Sequence, residues 1–486
     1  MGIRALAVIV VLAISLPLTL VHPYVGVLVW NWLAYANPHQ LTWGQLAQFR
    51  PAVIVALVTL FALAVSRRER FRAVGGREVL FALGFFGTLI ISTVFAYHPG
   101  AARVKLEQYA KMFLMCYVMI CLVNTERRFR VLVWTTALFV CALGMKGVIL
   151  GPVRGFPRIY GPAKSFMSDN NDYALGMNMM LPFFAAIGAT ERRAKLKLFW
   201  YACLVLTVGA VLFTYSRGGY IGMGITVLAM AWRAKRKGLA AAVLGLGVIL
   251  GAAFAPQRLI ERVDDLENPT QQGTAKSRIR AWHVGRRMGN AHPFTGVGLR
   301  NFAGKYRDFA LENDPTGALV AHSAYFQILG EAGYISLIFF VLLIVGSFWS
   351  LFRLRHRLRH LPEGSLADPI RAGPVPANPE PAPPSPAGAV PVPPRPTMRK
   401  PARPIDYLDR FRRYTHMCEI SIMSYAVTAT FLSRADFDLF FQVIAMVVCL
   451  KIMVRERTAQ PKPEITRSAR VRRPARQPVL TSAGAK

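Results

Sequence analysis

The amino-acid sequence predicts an all-α fold: a polytopic membrane protein with about twelve transmembrane helices and one long periplasmic loop. Of its 486 residues, 53% are hydrophobic and 17% are charged, and the charged residues lie in groups between apolar stretches. Most of these stretches suit helices that cross a hydrocarbon core about 30 Å thick. Because lipid offers no hydrogen-bond partner, a crossing segment must satisfy its own backbone amides, as a helix does.

The apolar segments give the predicted helices in chain order. They lie near residues 5–21, 51–65, 78–95, 109–123, 130–150, 171–189, 198–214, 218–232, 239–255, 325–351, 417–433 and 437–453. Strongly basic connections at 67–72, 127–130, 192–195 and 233–237 alternate with less basic ones at 37–50, 96–108, 151–170 and 215–217. The positive-inside rule predicts that the basic set is cytoplasmic, and that the loop 256–324 is periplasmic because long loops escape the rule.

Residues 24–36 are apolar but short, and they leave two topologies open. A crossing at this segment places the N-terminus outside. An interfacial or re-entrant segment instead keeps Arg4 on the same side as the basic C-terminal tail. Trp30 and Trp32 suit a membrane interface, so we prefer the interfacial interpretation.

The composition divides the chain into four regions. A transmembrane core at 1–351 contains the periplasmic loop 256–324, and 352–416 forms a cytoplasmic linker. The linker includes a proline-rich tract with few apolar side chains, which predicts an extended, disordered spacer. The final two transmembrane helices occupy 417–454. A disordered basic tail at 455–486 is predicted to lie against anionic lipid.

Charge and cysteine placement exclude several function classes. The formal net charge is +34, but the basic side chains lie in short connections between spans, which argues against nucleic-acid binding. All six cysteines lie in apolar runs without metal-ligand or disulfide spacing, so we expect no metal and no cofactor. They are Cys116, Cys121, Cys141, Cys203, Cys418 and Cys449.

Polar residues that are unusual in a membrane protein collect on the predicted periplasmic side. They are Arg154, Arg158, Lys164, Asn170, Arg217, Arg278, Arg280, His322 and Glu331. Ionisable groups at a membrane are costly and often functional. Arginine binds phosphate through two hydrogen bonds, and histidine is a common general base, so the set predicts polyanion recognition with one proton transfer. Interfacial anchoring, helix capping and headgroup binding are alternatives for individual members.

Several short motifs carry a family resemblance. The chain resembles the O-antigen ligase/polymerase superfamily in TYSRGG at 214–219, Arg278 with Trp282, HPFTGVG at 292–298, HSAY at 322–325 and EAG at 331–333. It resembles more narrowly the exosortase-system-associated O-glycosylation ligases in HPYVG at 22–26, NPH at 37–39, LTWG at 41–44, and GP at 161–162 leading to DNN at 169–171. The match extends from about residue 5 to 345 and resumes at 417–453.

The resemblance implies a GT-C-like membrane glycosyltransferase. Such an enzyme moves a glycan from a polyprenyl-diphosphate carrier to an acceptor hydroxyl at the periplasmic face, with inversion and without a metal. Arg217 and Arg278 would hold the diphosphate, and His322 would activate or orient the acceptor. Arg280 is a second candidate because the register to Trp282 can slip. The proline-rich tract departs from the family pattern, which bears on regulation rather than on chemistry.

Three functions compete at this point. The first is a glycan ligase, the second is a polysaccharide repeat-unit polymerase of the same superfamily, and the third is a lipid-linked sugar transporter or flippase. A transporter places ionisable residues near mid-membrane in broken helices, whereas Lys111, Lys146, Arg217 and Glu331 lie toward the outer ends of their spans. The expected partners are a polyprenyl-diphosphate-linked glycan, an acceptor glycan, lipid or protein, and membrane lipids, in the bacterial inner membrane.

Overall fold

The fold is a helical bundle, seen in a computed structural model. The structure describes residues 3–38, 50–153, 159–161, 167–234, 237–238, 273–312, 314, 317–361 and 407–459. Within these ranges all regular structure is helical. The predicted helix 239–255, the proline-rich tract and the tail beyond residue 459 lie outside the described residues.

Most helices begin and end close to the predicted apolar segments. In chain order they are α1 (Ile3–Val21), α2 (Pro23–Ala36), α3 (Pro51–Val65), α4 (Arg77–Val94), α5 (Pro99–Leu122), α6 (Glu126–Val153), α7 (Asn170–Thr190), α8 (Ala194–Leu212), α9 (Arg217–Arg233), α10 (Gly273–Ala291), α11 (Tyr306–Phe309), α12 (Ala324–Arg359), α13 (Tyr407–Thr428) and α14 (Asp438–Ala459). A 3-10 turn at Ala429–Phe431 follows α13.

Length and composition identify the helices that can cross a membrane. Five qualify in the described part of the chain: Arg77–Val94, Glu126–Met145, Asn170–Thr190, Ala194–Leu212 and Ala324–Arg359. Two shorter apolar helices, Ala5–Val21 and Pro51–Val65, add to them. The protein is therefore a multi-pass, all-helical membrane protein.

The bundle is built around α7. Of its span, 83% is buried, because α8, α9 and α13 pack against it on different sides. Close packing depends on small residues: a Cβ atom on Gly219 of α9 would lie 2.6 Å from the Cβ atom of Ala174 on α7. A larger residue at 219 would push these two helices apart.

Helix α2 packs within the bundle, and the membrane position of residues 24–36 stays a prediction. The Tyr24 hydroxyl donates to the Arg128 carbonyl oxygen at 2.5 Å, and Asn31 Nδ2 donates to Thr136 Oγ1 at 2.8 Å. The two contacts show that α2 runs parallel to α6, which starts at a basic connection. Seven residues of α2 are buried, because α1, α3, α5 and α6 surround it. Burial against these neighbouring helices accommodates the polar side chain of Asn31.

The helix ends form two faces. The basic face consists of 66–77, 123–130, 190–195, 352–361 and 407–419. The site face consists of 95–98, 167–172, 213–217, 292–312, 317–323 and 429–437. Ion pairs hold the basic face together. Glu419 on α13, for example, accepts from Arg233 at 2.6 Å and from Arg355 at 3.1 Å, which joins α9 and α12 to α13.

The predicted helix from 325 is broken. Gly333 has φ 80°, so α12 consists of a short half-helix at 324–332 and a long one from 334. The rings of Tyr325 and Phe340 are 6.0 Å apart, which requires the first half to fold back against the second. The Val297 and Gly298 amides donate to the carbonyl oxygens of residues 330 and 331, both at 2.9 Å. These bonds give partners to carbonyl oxygens that the break leaves without helical ones.

We expect the basic face to be cytoplasmic and the site face periplasmic. In a variant without native cysteines, Ser66→Cys on the basic face should resist an impermeant thiol reagent in cells with a permeable outer membrane. Leu311→Cys on the site face, whose native side chain is 67% exposed, should react. The opposite labelling pattern would reverse the proposed orientation. Labelling after detergent lysis controls for thiol reactivity.

Candidate functional site

The N-termini of α7 and α9 meet at the site face. Asn170 Nδ2 donates to the Thr214 carbonyl oxygen at 2.9 Å, and Ser216 Oγ donates to Asn171 Oδ1 at 2.6 Å. The Asp169 carboxylate caps α7 by accepting from the Asn171 amide at 2.8 Å. Two adjacent helix N-termini present partial positive charge and backbone amides, an arrangement that favours an anion.

Arg217 is the first residue of α9, and the chain enters it through a left-handed residue. Tyr215 has φ 52°, an uncommon conformation for a residue other than glycine. Gly218 and Gly219, which follow Arg217, are both helical. They permit close packing: a Cβ atom on Gly218 would lie 3.1 Å from the Phe431 Cβ atom.

Helix α10 brings a second arginine to Arg217. Its Trp282 stacks on Phe326 of α12 with ring centroids 5.3 Å apart, which fixes α10 against the half-helix. Burial lowers the pKa of Arg278, and the nearby positive charge of Arg217 lowers it further. Two guanidinium groups held within electrostatic range of each other repel, and an anion between them removes that cost.

His322 completes the group at the N-terminus of the half-helix. Its φ is 48°, so it is a second non-glycine residue in the left-handed region, a feature often found at functional sites. Burial lowers the pKa of His322, Arg278 lowers it further, and Asp169 acts in the opposite direction. The lowered pKa favours the neutral imidazole, which can accept a proton.

Three other predicted site residues have structural partners. Arg280 Nη1 pairs with Asp314 Oδ1 at 3.2 Å, so Arg278 rather than Arg280 is the arginine next to Arg217. The side-chain amide of Asn170 donates to the Thr214 carbonyl oxygen. The Glu331 carboxylate is buried at the break in α12, where it accepts from the backbone amide of Arg300.

Three predicted site residues are not described by the structure, and two charged residues near the site were not predicted. The predicted residues Arg154, Arg158 and Lys164 lie outside the described residues. The sequence analysis did not select Arg434 or Asp436, on the connection between the last two helices. The signal was present in the charged run RADFD at 434–438, at the outer end of a predicted span.

The described residues contain no group of three or more His, Cys, Asp or Glu side chains that could hold a metal ion. All six cysteines are free, and five are buried. The three side chains that the structure brings together, Arg217, Arg278 and His322, can bind an anion and accept a proton. This chemistry fits a substrate with a multiply charged leaving group and an attacking hydroxyl.

Two family models match parts of the chain. Residues 202–341 match the model of a family described as O-antigen ligase, and this stretch contains Arg217, Arg278 and His322. Residues 3–188 match a family of unknown function, DUF5935. No curated protein sequence matches the chain. The narrower resemblance to exosortase-associated ligases stays a prediction. Residues 202–341 thus form an O-antigen ligase domain, typical of a superfamily whose members act in membranes on lipid-linked glycans.

Proposed function

We propose that the protein is a glycosyltransferase of the bacterial inner membrane that moves a glycan from a polyprenyl-diphosphate carrier to an acceptor hydroxyl. The observation that carries the proposal is the proximity of Arg217 and Arg278 beside the N-termini of α7, α9 and the half-helix of α12. Such an arrangement suits a diphosphate better than a singly charged ligand. The site face would be periplasmic.

In the proposed reaction the acceptor oxygen attacks the anomeric carbon, and the bond from that carbon to the diphosphate oxygen breaks. The configuration at the anomeric carbon inverts. Negative charge develops on the leaving diphosphate, where Arg217 and Arg278 stabilise it. The acceptor proton passes to the neutral imidazole of His322. We expect the reaction to proceed without a metal ion and to withstand a chelator.

The alternative of a transporter finds less support. Broken helices in transporters typically surround a site near mid-membrane. Here the break in α12 lies beside the end of α4, where Ser92 Oγ donates to the Glu331 carbonyl oxygen at 2.7 Å. Val297, whose amide donates to the half-helix, accepts from the amide of Tyr97, just after α4, at 3.2 Å. The break is therefore close to the site face.

A polymerase of the same superfamily needs a second diphosphate site for its second lipid-linked glycan. The candidates for that site, Arg154, Arg158 and Lys164, lie outside the described residues. Incubation of the purified protein with a lipid-diphosphate glycan distinguishes the two reactions. A ligase should transfer the glycan only when a separate acceptor is added, whereas a polymerase should build a ladder of chains on the carrier without one.

The same assay tests the role of His322. Because its pKa is lowered from the ordinary value of 6.5, activity should be nearly constant above neutrality and should fall only at more acidic pH, as the imidazole gains a proton. His322→Ala should remove most activity, by about 10²- to 10⁴-fold, at an unchanged amount of protein in the membrane. Full activity in His322→Ala would eliminate the general-base role and leave a role in starting the half-helix.

A further inference from the structure

The starts of α7 and α9 meet at the site but belong to different family matches. Residues 169–171 lie in the stretch that matches the family of unknown function, and 214–217 lie in the O-antigen ligase domain. Two side-chain hydrogen bonds join these segments, one from Asn170 and one from Ser216. The region of unknown function therefore contributes contacts to the candidate site.

A chain of hydrogen bonds runs from the cap of α7 to the cap of α9. A carboxylate only accepts, so Asn171 turns its Nδ2 toward Asp169 Oδ1, at 2.9 Å. Its Oδ1 then accepts from the Ser216 hydroxyl at 2.6 Å. Ser216 Oγ in turn accepts from the Gly219 amide at 3.1 Å and caps α9. Each donor and acceptor in this chain thus has one possible role.

This chain of bonds determines where α9 begins. Ser216 directly precedes Arg217, and Tyr215 before it holds a left-handed backbone, which persists only where its surroundings fix it. The Asn170 side chain also binds the Thr214 carbonyl oxygen, at 2.9 Å. Because α7 is largely buried, it is a firm support for this turn. The position of Arg217 relative to α10 therefore depends on the first residues of α7.

The residue at 171 is an amide for an electrostatic reason. A carboxylate there can also accept from Ser216, so hydrogen bonding alone does not require Asn171. A carboxylate would, however, face Asp169 across the distance that Nδ2 now bridges, and would add negative charge to the site face. The next acidic residue, Asp172, is compensated by an ion pair with Arg434 on the connection between the last two helices. A neutral amide keeps this surface open to an anion.

We propose that Asn171 is a positioning residue for Arg217. Its neutral amide ties the first turn of α9 to α7, so that the Arg217 guanidinium stays beside Arg278 where the donor diphosphate binds. The inference rests on the proposed function, since it assigns the region of unknown function a part in the site of that reaction. Asn171 itself touches no reacting atom in this proposal.

Asn171→Ala should lower kcat/KM for the lipid-diphosphate donor by about 10- to 100-fold, the effect of a small displacement of a binding group. Ser216→Ala removes the same hydrogen bond from the other side. The double variant should therefore be no worse than Ser216→Ala alone, because the two losses are not independent. Additive losses would show that Asn171 does not act through Ser216.

Glu191→Ala is the matched control for loss of a cap. Glu191 Oε1 accepts from the amides of Arg192 and Arg193, at 2.8 and 3.0 Å, before α8 on the basic face. This variant should lose a comparable amount of stability and leave the donor KM unchanged. A KM that rises as much as in Asn171→Ala would reduce the effect at the site to general destabilisation.

Asn171→Asp tests the charge separately from the hydrogen bond. At neutral pH it should raise the donor KM about tenfold, the effect of one nearby like charge. The ratio of its KM to the native KM should fall toward one in acid, because two adjacent carboxyl groups then share a proton. A purely structural role for Asn171 predicts a native KM at every pH, since a carboxylate still accepts from Ser216.

A readout without turnover separates this inference from the proposed reaction. Modification of Arg217 by phenylglyoxal, followed by mass spectrometry, should be slowed by inorganic pyrophosphate. In Asn171→Ala the rate without pyrophosphate should rise, because the guanidinium is held less firmly, and protection should need about tenfold more pyrophosphate.

The two failures look different in this experiment. Equal rates of Arg217 modification in the native protein and in Asn171→Ala would overturn the positioning role. A faster rate in Asn171→Ala, with no protection by pyrophosphate even in the native protein, would overturn the proposed diphosphate site. That second result would leave the positioning of Arg217 by Asn171 intact.

Discussion

Arg217→Ala and Arg278→Ala should each abolish most glycan transfer while the protein stays folded in the membrane. One lost charge-assisted hydrogen bond costs roughly 1.5–3 kcal/mol, which is about ten- to a hundredfold in rate if the bond acts in the transition state. Arg217→Lys should be nearly as damaging as Arg217→Ala, because a point charge cannot replace two hydrogen bonds from one planar group. Initial rates with purified protein measure the effect.

The structure offers a matched control on α10. Arg286 lies two turns after Arg278 on the same helix, and its side chain is exposed. Arg286→Ala should change the rate less than about twofold, because it removes the same charge from the same helix away from Arg217. Near-normal activity in both Arg217→Ala and Arg278→Ala would remove the basis for a diphosphate site here.

The second large effect is expected at the break in α12. A Cβ atom on Gly333 would lie 2.5 Å from the Pro293 carbonyl oxygen, and φ 80° is a conformation that L residues rarely adopt. Gly333→Ala would also favour a continuous helix by about 1 kcal/mol of intrinsic propensity. A continuous helix would carry His322 away from Arg278. We expect a large loss of thermal stability in detergent together with loss of activity.

Gly87→Ala is the control for this substitution. Gly87 lies in α4, and nothing lies within 4 Å of the position that a Cβ atom would take there. This variant should retain or slightly gain stability, because alanine is the better helix former. Equal melting temperatures for Gly333→Ala and the native protein would show that the break tolerates a side chain, contrary to the close contact with Pro293.

Hydropathy predicted the long apolar helices. It could not predict the features that are buried between helices inside the bundle. Helices α4 and α8 agree with their apolar segments within a few residues, since one side of each meets lipid. The sequence did not show that α2 packs among neighbouring helices, which shield its buried Asn31. The break at Gly333 was hidden, because apolar composition continues through it and only the left-handed backbone marks the change.

The site was partly predictable for a different reason. Residue type placed Arg217, Arg278 and His322 among nine candidates, because each is costly near a membrane unless it has a function, and the family resemblance selected these three. Partners are set by the tertiary fold, so the pairing of Arg280 with Asp314 was not visible. The pairing of Arg434 with Asp172 was also hidden, since Arg434 lies 262 residues along the chain from Asp172.

The position of α13 and α14 at the end of the chain has a consequence for biosynthesis. Helix α7 is synthesised long before α13, which packs along it, and before the Arg434 guanidinium that pairs with Asp172. Until the last two helices insert, the start of α7 carries an uncompensated acidic group at the membrane surface. We therefore expect the candidate site to be completed late in assembly, and a chain that stops before α13 should lack both this packing and this ion pair.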